Sequence, residues 1–169
     1  MKKIVLSLFV ASFSSLSIAA PVTNDIAFIG AVNESTCDVI VESNGVTGNV
    51  VQLGTVNVNN TGEYVPFTIK AADPVACFAS AADEQMVSID MTSIDFDSVG
   101  LKAMAGVDAF DSKVLIKNAA GDFITKNNTI NSVKKSQFNS DGMSFTAALQ
   151  AGNEIGNFKA MTAFSVSYK

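Results

Sequence analysis

Two kinds of side chain in this sequence have the chemistry for a reactive or bonded site: two cysteines and a group of aspartates. The cysteines are Cys37 and Cys77, and the sequence contains no histidine. Without histidine the chain lacks His-based triads, His acid–base pairs and most zinc sites. Two cysteines are too few for a Cys-only zinc site or a four-Cys iron–sulfur cluster. The thiols are left with two states, a disulfide or a pair of free thiols.

The aspartates do not form a recognisable catalytic or metal pattern. A glycosidase needs two carboxylates, and Asp95 and Asp97 would share one face of a strand. Their Ser and Gly neighbours instead favour a solvated loop, and residues 95–98 lack the twelve-residue ligand pattern of a calcium loop. The remaining candidates are Asp90, Asp108 and Asp111. We therefore expect no enzyme activity, no metal and no cofactor.

Composition limits the class of protein further. The chain has 169 residues, a formal net charge of -5 and 16% charged residues, against roughly 25% in an average globular protein. This length fits one domain. All the basic residues are lysines, and the absence of arginine in an acidic chain argues against a nucleic-acid partner.

The N-terminus has the pattern of an export signal. Lys2 and Lys3 precede an apolar run over residues 4–16, and Ser17-Ile18-Ala19 supplies small residues for cleavage. The run is too short to span a membrane. We predict a signal peptide over 1–19; the alternative is a cytosolic protein with an apolar N-terminal strand.

Export changes the interpretation of the cysteines. In an oxidising compartment an even pair favours a disulfide, here Cys37 with Cys77, and two buried free thiols are the alternative. Closing a loop of about 40 residues would stabilise the fold by roughly 3–4 kcal/mol on the chain-entropy model.

The elements that position these residues have the periodicity of β-strands. Between residues 157 and 168 the even positions are mostly apolar and the odd ones mostly polar or small, and similar alternation recurs upstream. Turn signals such as Asn44-Gly45 separate the runs. Many short strands at fairly regular spacing predict an all-β sandwich. The runs are 39–41, 50–53, 65–69, 87–91, 113–117, 145–149 and 158–168.

The first strand after the signal has large apolar residues on its even positions, with one glycine inserted. These positions are Val22, Ile26, Phe28, Gly30 and Val32. A glycine inside a strand often marks the close approach of another chain segment. The segment is either an ordinary first strand with a bulge or a strand that docks into another molecule.

These motifs resemble the fimbrial (pilin) subunits of the chaperone–usher pathway, in particular type 1-like pilins. The resemblance covers nearly all of the chain after the signal. It rests on Ile26-x-Phe28-x-Gly30-x-Val32 before Cys37, Val50 to Val56 and Phe67-Thr68-Ile69 before Cys77, and Gly156 twelve residues before Tyr168.

The resemblance implies an incomplete immunoglobulin-like β-sandwich that is completed by a donor strand from a neighbouring subunit. Residues 20–33 would be the donor extension, with Val22, Ile26, Phe28, Gly30 and Val32 facing the groove, and 34–169 the pilin domain. The groove edge and chaperone-binding surface would comprise Gly156, Phe164, Val166, Tyr168 and Lys169.

The implied partners are a periplasmic chaperone, an outer-membrane usher and other fimbrial subunits, with a host receptor possible through the assembled fibre. The implied location is the bacterial surface, reached through the periplasm. One domain with an intact donor segment favours a polymerising shaft subunit that supports cell adhesion. The alternative is a self-contained secreted β-sandwich that binds a carbohydrate or a receptor.

Overall fold

The computed structural model describes residues 37–168. In this part of the chain the regular structure is nine strands and one short helix. In chain order they are β1 Val39–Ser43, β2 Val46–Thr47, β3 Val65–Ala71, β4 Met86–Thr92, β5 Leu101–Lys102, β6 Lys113–Asn118, β7 Ile130–Lys134, α1 Lys135–Asp141, β8 Met143–Gln150 and β9 Ala163–Tyr168.

The strands form two sheets. The larger has the order β2-β1-β3-β8-β6-β5 and the smaller has the order β7-β4-β9. Neighbouring strands pair antiparallel throughout. The turn predicted at Asn44-Gly45 joins β1 to β2, and both residues have positive φ (52° and 77°), as a two-residue hairpin turn of the primed type requires.

The core lies between the inward faces of the two sheets. Phe67 of β3 lies directly opposite Phe145 of β8, and their rings stack with centroids 5.4 Å apart. Val87, Ile89 and Met91 of β4 are 0%, 0% and 2% exposed. The alternation in the sequence therefore corresponds to an alternation between core and surface, and the all-β sandwich is confirmed.

Helix α1 was not expected from the sequence. Its residues are mostly polar, and its N-terminus has no side-chain cap. Only Phe138, which is fully buried, ties it to the core by an apolar side chain. The Lys134-Lys135 pair looks solvated in the sequence, but Lys135 is only 7% exposed. The ammonium group of Lys135 donates a hydrogen bond to the carbonyl of Ala81, which is distant in the sequence.

The last predicted strand is shorter than its sequence pattern. Even-numbered residues from Phe158 to Tyr168 are half-buried and odd-numbered ones are exposed, yet regular pairing begins at Ala163. The preceding residues bind a loop instead: Met104 N donates to Lys159 O at 2.8 Å and Ala109 N to Asn157 O at 3.2 Å. The β-rich run at 50–53 likewise forms no strand.

Candidate functional site

The two cysteines form a disulfide. Cys37 and Cys77 are bonded, with their Cα atoms 4.5 Å apart. The bond joins the start of β1 to the loop between β3 and β4, residues 72–85, which we call the disulfide loop. The Cys77 end is 2% exposed. The pairing predicted from the export signal is present.

Strand β9 has one open edge. It pairs with β4 over the register Val87↔Tyr168 to Thr92↔Ala163, and no other strand of residues 37–168 pairs with it. Its second edge therefore presents backbone N–H and C=O groups without a ladder partner in this part of the chain. An edge of this kind is a template for adding a strand.

The inward face of β9 is only partly covered. Phe164, Val166 and Tyr168 are half-buried and pack against the core, while Ala163, Ser165 and Ser167 are exposed. The neighbouring strand β4 buries its equivalent residues completely, so the incomplete cover of β9 comes from its position at the edge.

A second row of half-buried apolar residues comes from β1 and from the irregular segment that follows β2. It consists of Val39, Val51 and Leu53, which also pack against the core. β2 pairs with only Glu42 and Ser43 of β1, so the first half of β1 has one strand neighbour, β3, within the described residues.

The order of the sheets places these two rows on the same side of the sandwich. Asn118 at the end of β6 donates to Asn131 Oδ1 of β7 at 2.9 Å, so β7 lies opposite β6. β9 is at the other edge of the small sheet and therefore lies towards β1. We call this open side of the sandwich the groove; Phe164, Val166 and Tyr168 belong to its β9 side, and the row of Val39, Val51 and Leu53 belongs to its β1 side.

An aromatic residue missed by the sequence analysis supports the Tyr168 end of the groove. Phe78 follows Cys77, is 3% exposed and has φ of 52°, which is uncommon for a bulky side chain. Its ring lies 4.9 Å from that of Tyr168 and 6.4 Å from that of Phe138. No periodic pattern marks Phe78, because it lies in a loop.

Helix α1 holds the disulfide loop that carries Phe78. Lys135 Nζ donates to Ala81 O at 2.6 Å and lies 3.4 Å from Asp83 Oδ1. The backbone N–H of Lys135 donates to Gln85 O at 2.8 Å, and Asn139 Nδ2 donates to Pro74 O at 2.8 Å. These bonds satisfy the buried ammonium and fix the loop beneath Tyr168.

Gly156 lies in the loop before β9 and packs against Asp108. Its φ is +148°, and an added Cβ would lie 2.1 Å from Asp108 Cβ. Asp108 Oδ2 also accepts a hydrogen bond from Asn157 N at 3.3 Å. A glycine is required here by close packing within the subunit.

Three of the aspartates considered for catalysis, Asp97, Asp108 and Asp111, organise loops. Asp97 accepts hydrogen bonds from Lys113 Nζ at 2.7 Å, Val99 N at 2.8 Å and Gly100 N at 3.0 Å. The Lys113 ammonium is the main cause that holds the pKa of the Asp97 carboxyl well below its usual range. Among residues 37–168 no cluster of three metal-ligating side chains occurs.

The remaining predicted site residues lie outside the described part of the chain. They are Val22, Ile26, Phe28, Gly30 and Val32 of the donor extension and Lys169 of the groove edge. Of the residues predicted at the groove edge, the structure brings together Phe164, Val166 and Tyr168 on β9. The opposite row was not foreseen.

Comparisons with known proteins identify the family. No family model matches the sequence. The F107 fimbrial protein of Escherichia coli is 32% identical over 174 residues, which cover all of both chains. The P pilus rod subunit PapA superposes with a TM-score of 0.55 at 14% identity, covering 86% of this chain and 100% of PapA.

A solved chaperone–usher pilus gives a TM-score of 0.45 at 14% identity, covering 87% of this chain and 96% of its own. Within residues 37–168 no helix has the length and hydrophobicity to cross a membrane. The immunoglobulin-like sandwich and the full-length similarity to a fimbrial protein show that the chain belongs to the family of bacterial fimbrial subunits and is a structural pilus subunit.

Proposed function

We propose that the subunit polymerises by donating residues 20–33 to the groove of the next subunit. The observation that carries the proposal is the open edge of β9, which combines an unpaired ladder with half-buried Phe164, Val166 and Tyr168. A β-strand added at such an edge gains main-chain hydrogen bonds along its length, and its alternate side chains enter the groove.

The donor segment has the alternation that this binding mode needs. Val22, Ile26, Phe28, Gly30 and Val32 share one parity, so they would face the groove together. Fully burying a side chain such as Ile26 or Phe28 contributes roughly 1.5–3 kcal/mol. Several such side chains on one strand would make a joint that dissociates very slowly.

Before polymerisation, another molecule must cover the open edge. We infer that a periplasmic chaperone supplies a temporary strand and binds the C-terminal carboxylate of Lys169, and that an outer-membrane usher exchanges it for the next donor. Export directed by residues 1–19 would place the subunit in an oxidising compartment, which is consistent with its disulfide.

We infer a purely structural role, without catalysis. The aspartates considered for catalysis at Asp97, Asp108 and Asp111 accept hydrogen bonds from neighbouring loops. The subunit would act on the bacterial surface as part of a fimbria that supports adhesion.

The test compares residues 20–169 with the same chain carrying a second copy of 20–33 fused after Lys169 by a short flexible linker. The fused chain is expected to unfold at a clearly higher temperature, because the added strand completes the sandwich. The control fusion carries Gly30→Leu in the added copy and is expected to recover little of this gain. An unfused chain that melts as cooperatively and at as high a temperature as the fusion would contradict the proposal and favour a self-contained binding module.

A further inference from the structure

The sandwich has two different ends, which are defined by the direction of β9. The loop end contains residues 103–112 and 151–162, next to the start of β6 and of β9. The disulfide end contains Cys37, the disulfide loop and Tyr168. Strand β9 runs from the loop end to the disulfide end, since Ala163 lies opposite Thr92 and Tyr168 opposite Val87.

The loop end carries an exposed apolar patch made of Phe110 and Ile155. Phe110 is 63% exposed and Ile155 is 85% exposed. The two loops are joined beside these residues, because Asp111 accepts hydrogen bonds from Asn153 N at 2.6 Å and Glu154 N at 3.3 Å. The patch is therefore held in place by a bonded pair of loops.

The disulfide end carries an exposed apolar side chain, Val75, which is 88% exposed. The turn that contains it is held by hydrogen bonds. Asp73 Oδ1 accepts hydrogen bonds from Val75 N at 2.9 Å and Ala76 N at 3.1 Å, and Asn139 of α1 binds Pro74 O. Val75 is thus held in solvent by the fold of the disulfide loop.

The direction of the donor strand decides which ends meet in a fibre. The described strand pairs are all antiparallel, and antiparallel pairs are the commoner type in general. A donor segment antiparallel to β9 runs from the acceptor's disulfide end to its loop end. Residue 33 of the donor copy would then lie near the acceptor's loop end.

The length of chain after the donor segment limits the distance between the two subunits. Residues 33–36 lead directly to Cys37, and a fully extended chain from residue 33 to residue 37 spans at most about 14 Å. The disulfide end of the donor copy must therefore lie against, or close to, the loop end of the acceptor copy.

We propose that Val75 of each subunit contacts the Phe110–Ile155 patch of the subunit whose groove it fills, which is a second copy of this chain. This inference rests on the proposed donation of residues 20–33. The two surfaces are different patches on opposite ends, so the contact is heterologous and repeats along an open fibre. Its role is to fix the angle between successive subunits and to slow their separation.

The test uses fibres assembled from the full chain. The double variant Phe110→Ser/Ile155→Ser is expected to dissociate in denaturant about tenfold faster than the unsubstituted fibre, because apolar area at the joint is lost. Val75→Ser should act in the same direction, and adding it to the double variant should cause little further change. The control is Ile130→Ser, which removes an exposed apolar side chain (60% exposed) on β7.

A second measurement separates this contact from donor-strand binding. A peptide of residues 20–33 lacks the disulfide end, so its dissociation from the double variant should equal that from the unsubstituted subunit. A photo-reactive residue at position 155 should cross-link to residues 73–76 of the neighbouring copy. If the peptide binds normally but fibres of the double variant dissociate at the unsubstituted rate, the proposed contact is wrong. Cross-links from position 155 to the neighbour's loop end would also overturn the contact and leave the proposed function intact. A peptide that does not bind the unsubstituted subunit would overturn the proposed function.

Discussion

Strands β4 and β9 are neighbours in one sheet and have the same alternating pattern, but they differ in how completely the fold covers them. β4 lies between β7 and β9, and its inward residues Val87, Ile89 and Met91 are almost fully buried. Within residues 37–168, β9 has a strand neighbour, β4, on one side only, and its inward residues Phe164, Val166 and Tyr168 are half-buried.

In the part of the chain that the structure describes, one sheet therefore contains a fully covered strand and a partly covered strand, which we call the finished and the unfinished part of the core. The inward side chains are large and predominantly apolar in both strands, so hydrophobicity alone does not distinguish them. What distinguishes them is the number of strand neighbours. Under the proposed donation of residues 20–33, the binding site consists of core residues whose last neighbour comes from another chain.

The largest effect is expected in the finished part. Ile89→Ala removes a fully buried side chain and should lower the free energy of unfolding by about 2–5 kcal/mol. The loss should be the same with the groove open or filled by a fused donor strand, as measured by denaturant unfolding of both forms. A loss that depended strongly on the donor strand would mean that β4 also belongs to the site.

A smaller and conditional effect is expected in the unfinished part. Val166→Ala removes about two methylene equivalents, so it should cost about 1.5 kcal/mol in the donor-filled chain and roughly half of that in the open chain. The difference should appear as faster dissociation of a donor peptide. Equal losses in the two forms would show that Val166 gains no cover from the donor.

The smallest effect is expected at Asp97, which lies in the loop after β4. Because its pKa is lowered in the folded state, Asp97 contributes stability that is present above its unfolded pKa and is lost as the pH falls below about 4. Asp97→Asn should lower stability at pH 7 by up to about 1 kcal/mol. The same substitution should reduce the loss of unfolding free energy at acid pH, which denaturant unfolding between pH 7 and pH 2 would measure.

Asp97→Asn also tests the specificity of the comparison. Its carboxylate binds Lys113 and the 99–100 turn, none of which lines the groove. Donor-peptide dissociation at pH 7 should therefore match that of the unsubstituted chain, and a changed rate would connect this loop to the site.

Sequence reasoning succeeded where structure follows from local periodicity or local turn chemistry. The sequence predicts the alternation around Ile89, the turn at Asn44-Gly45 and the inward side chains of β9, because each follows from spacing along the chain. The pairing of Cys37 with Cys77 was inferred from the oxidising compartment that the export signal implies, rather than from geometry.

It failed where a residue depends on partners distant in sequence. Lys135 is buried only because the carbonyl of Ala81 receives its ammonium group, and nothing near Lys135 in the sequence encodes that acceptor. Phe78 supports the groove from an irregular loop, where no period exists to reveal it. The loop before β9 replaces strand pairing by bonds to residues 103–112.

The position of β9 in the chain also has a consequence in time. Val87 pairs with Tyr168, so β4 is synthesised before the strand that covers its edge. The proposed donor segment at 20–33 is synthesised earlier still. Under the proposed donation, a nascent subunit would therefore carry its means of joining another molecule before it has a groove to receive one.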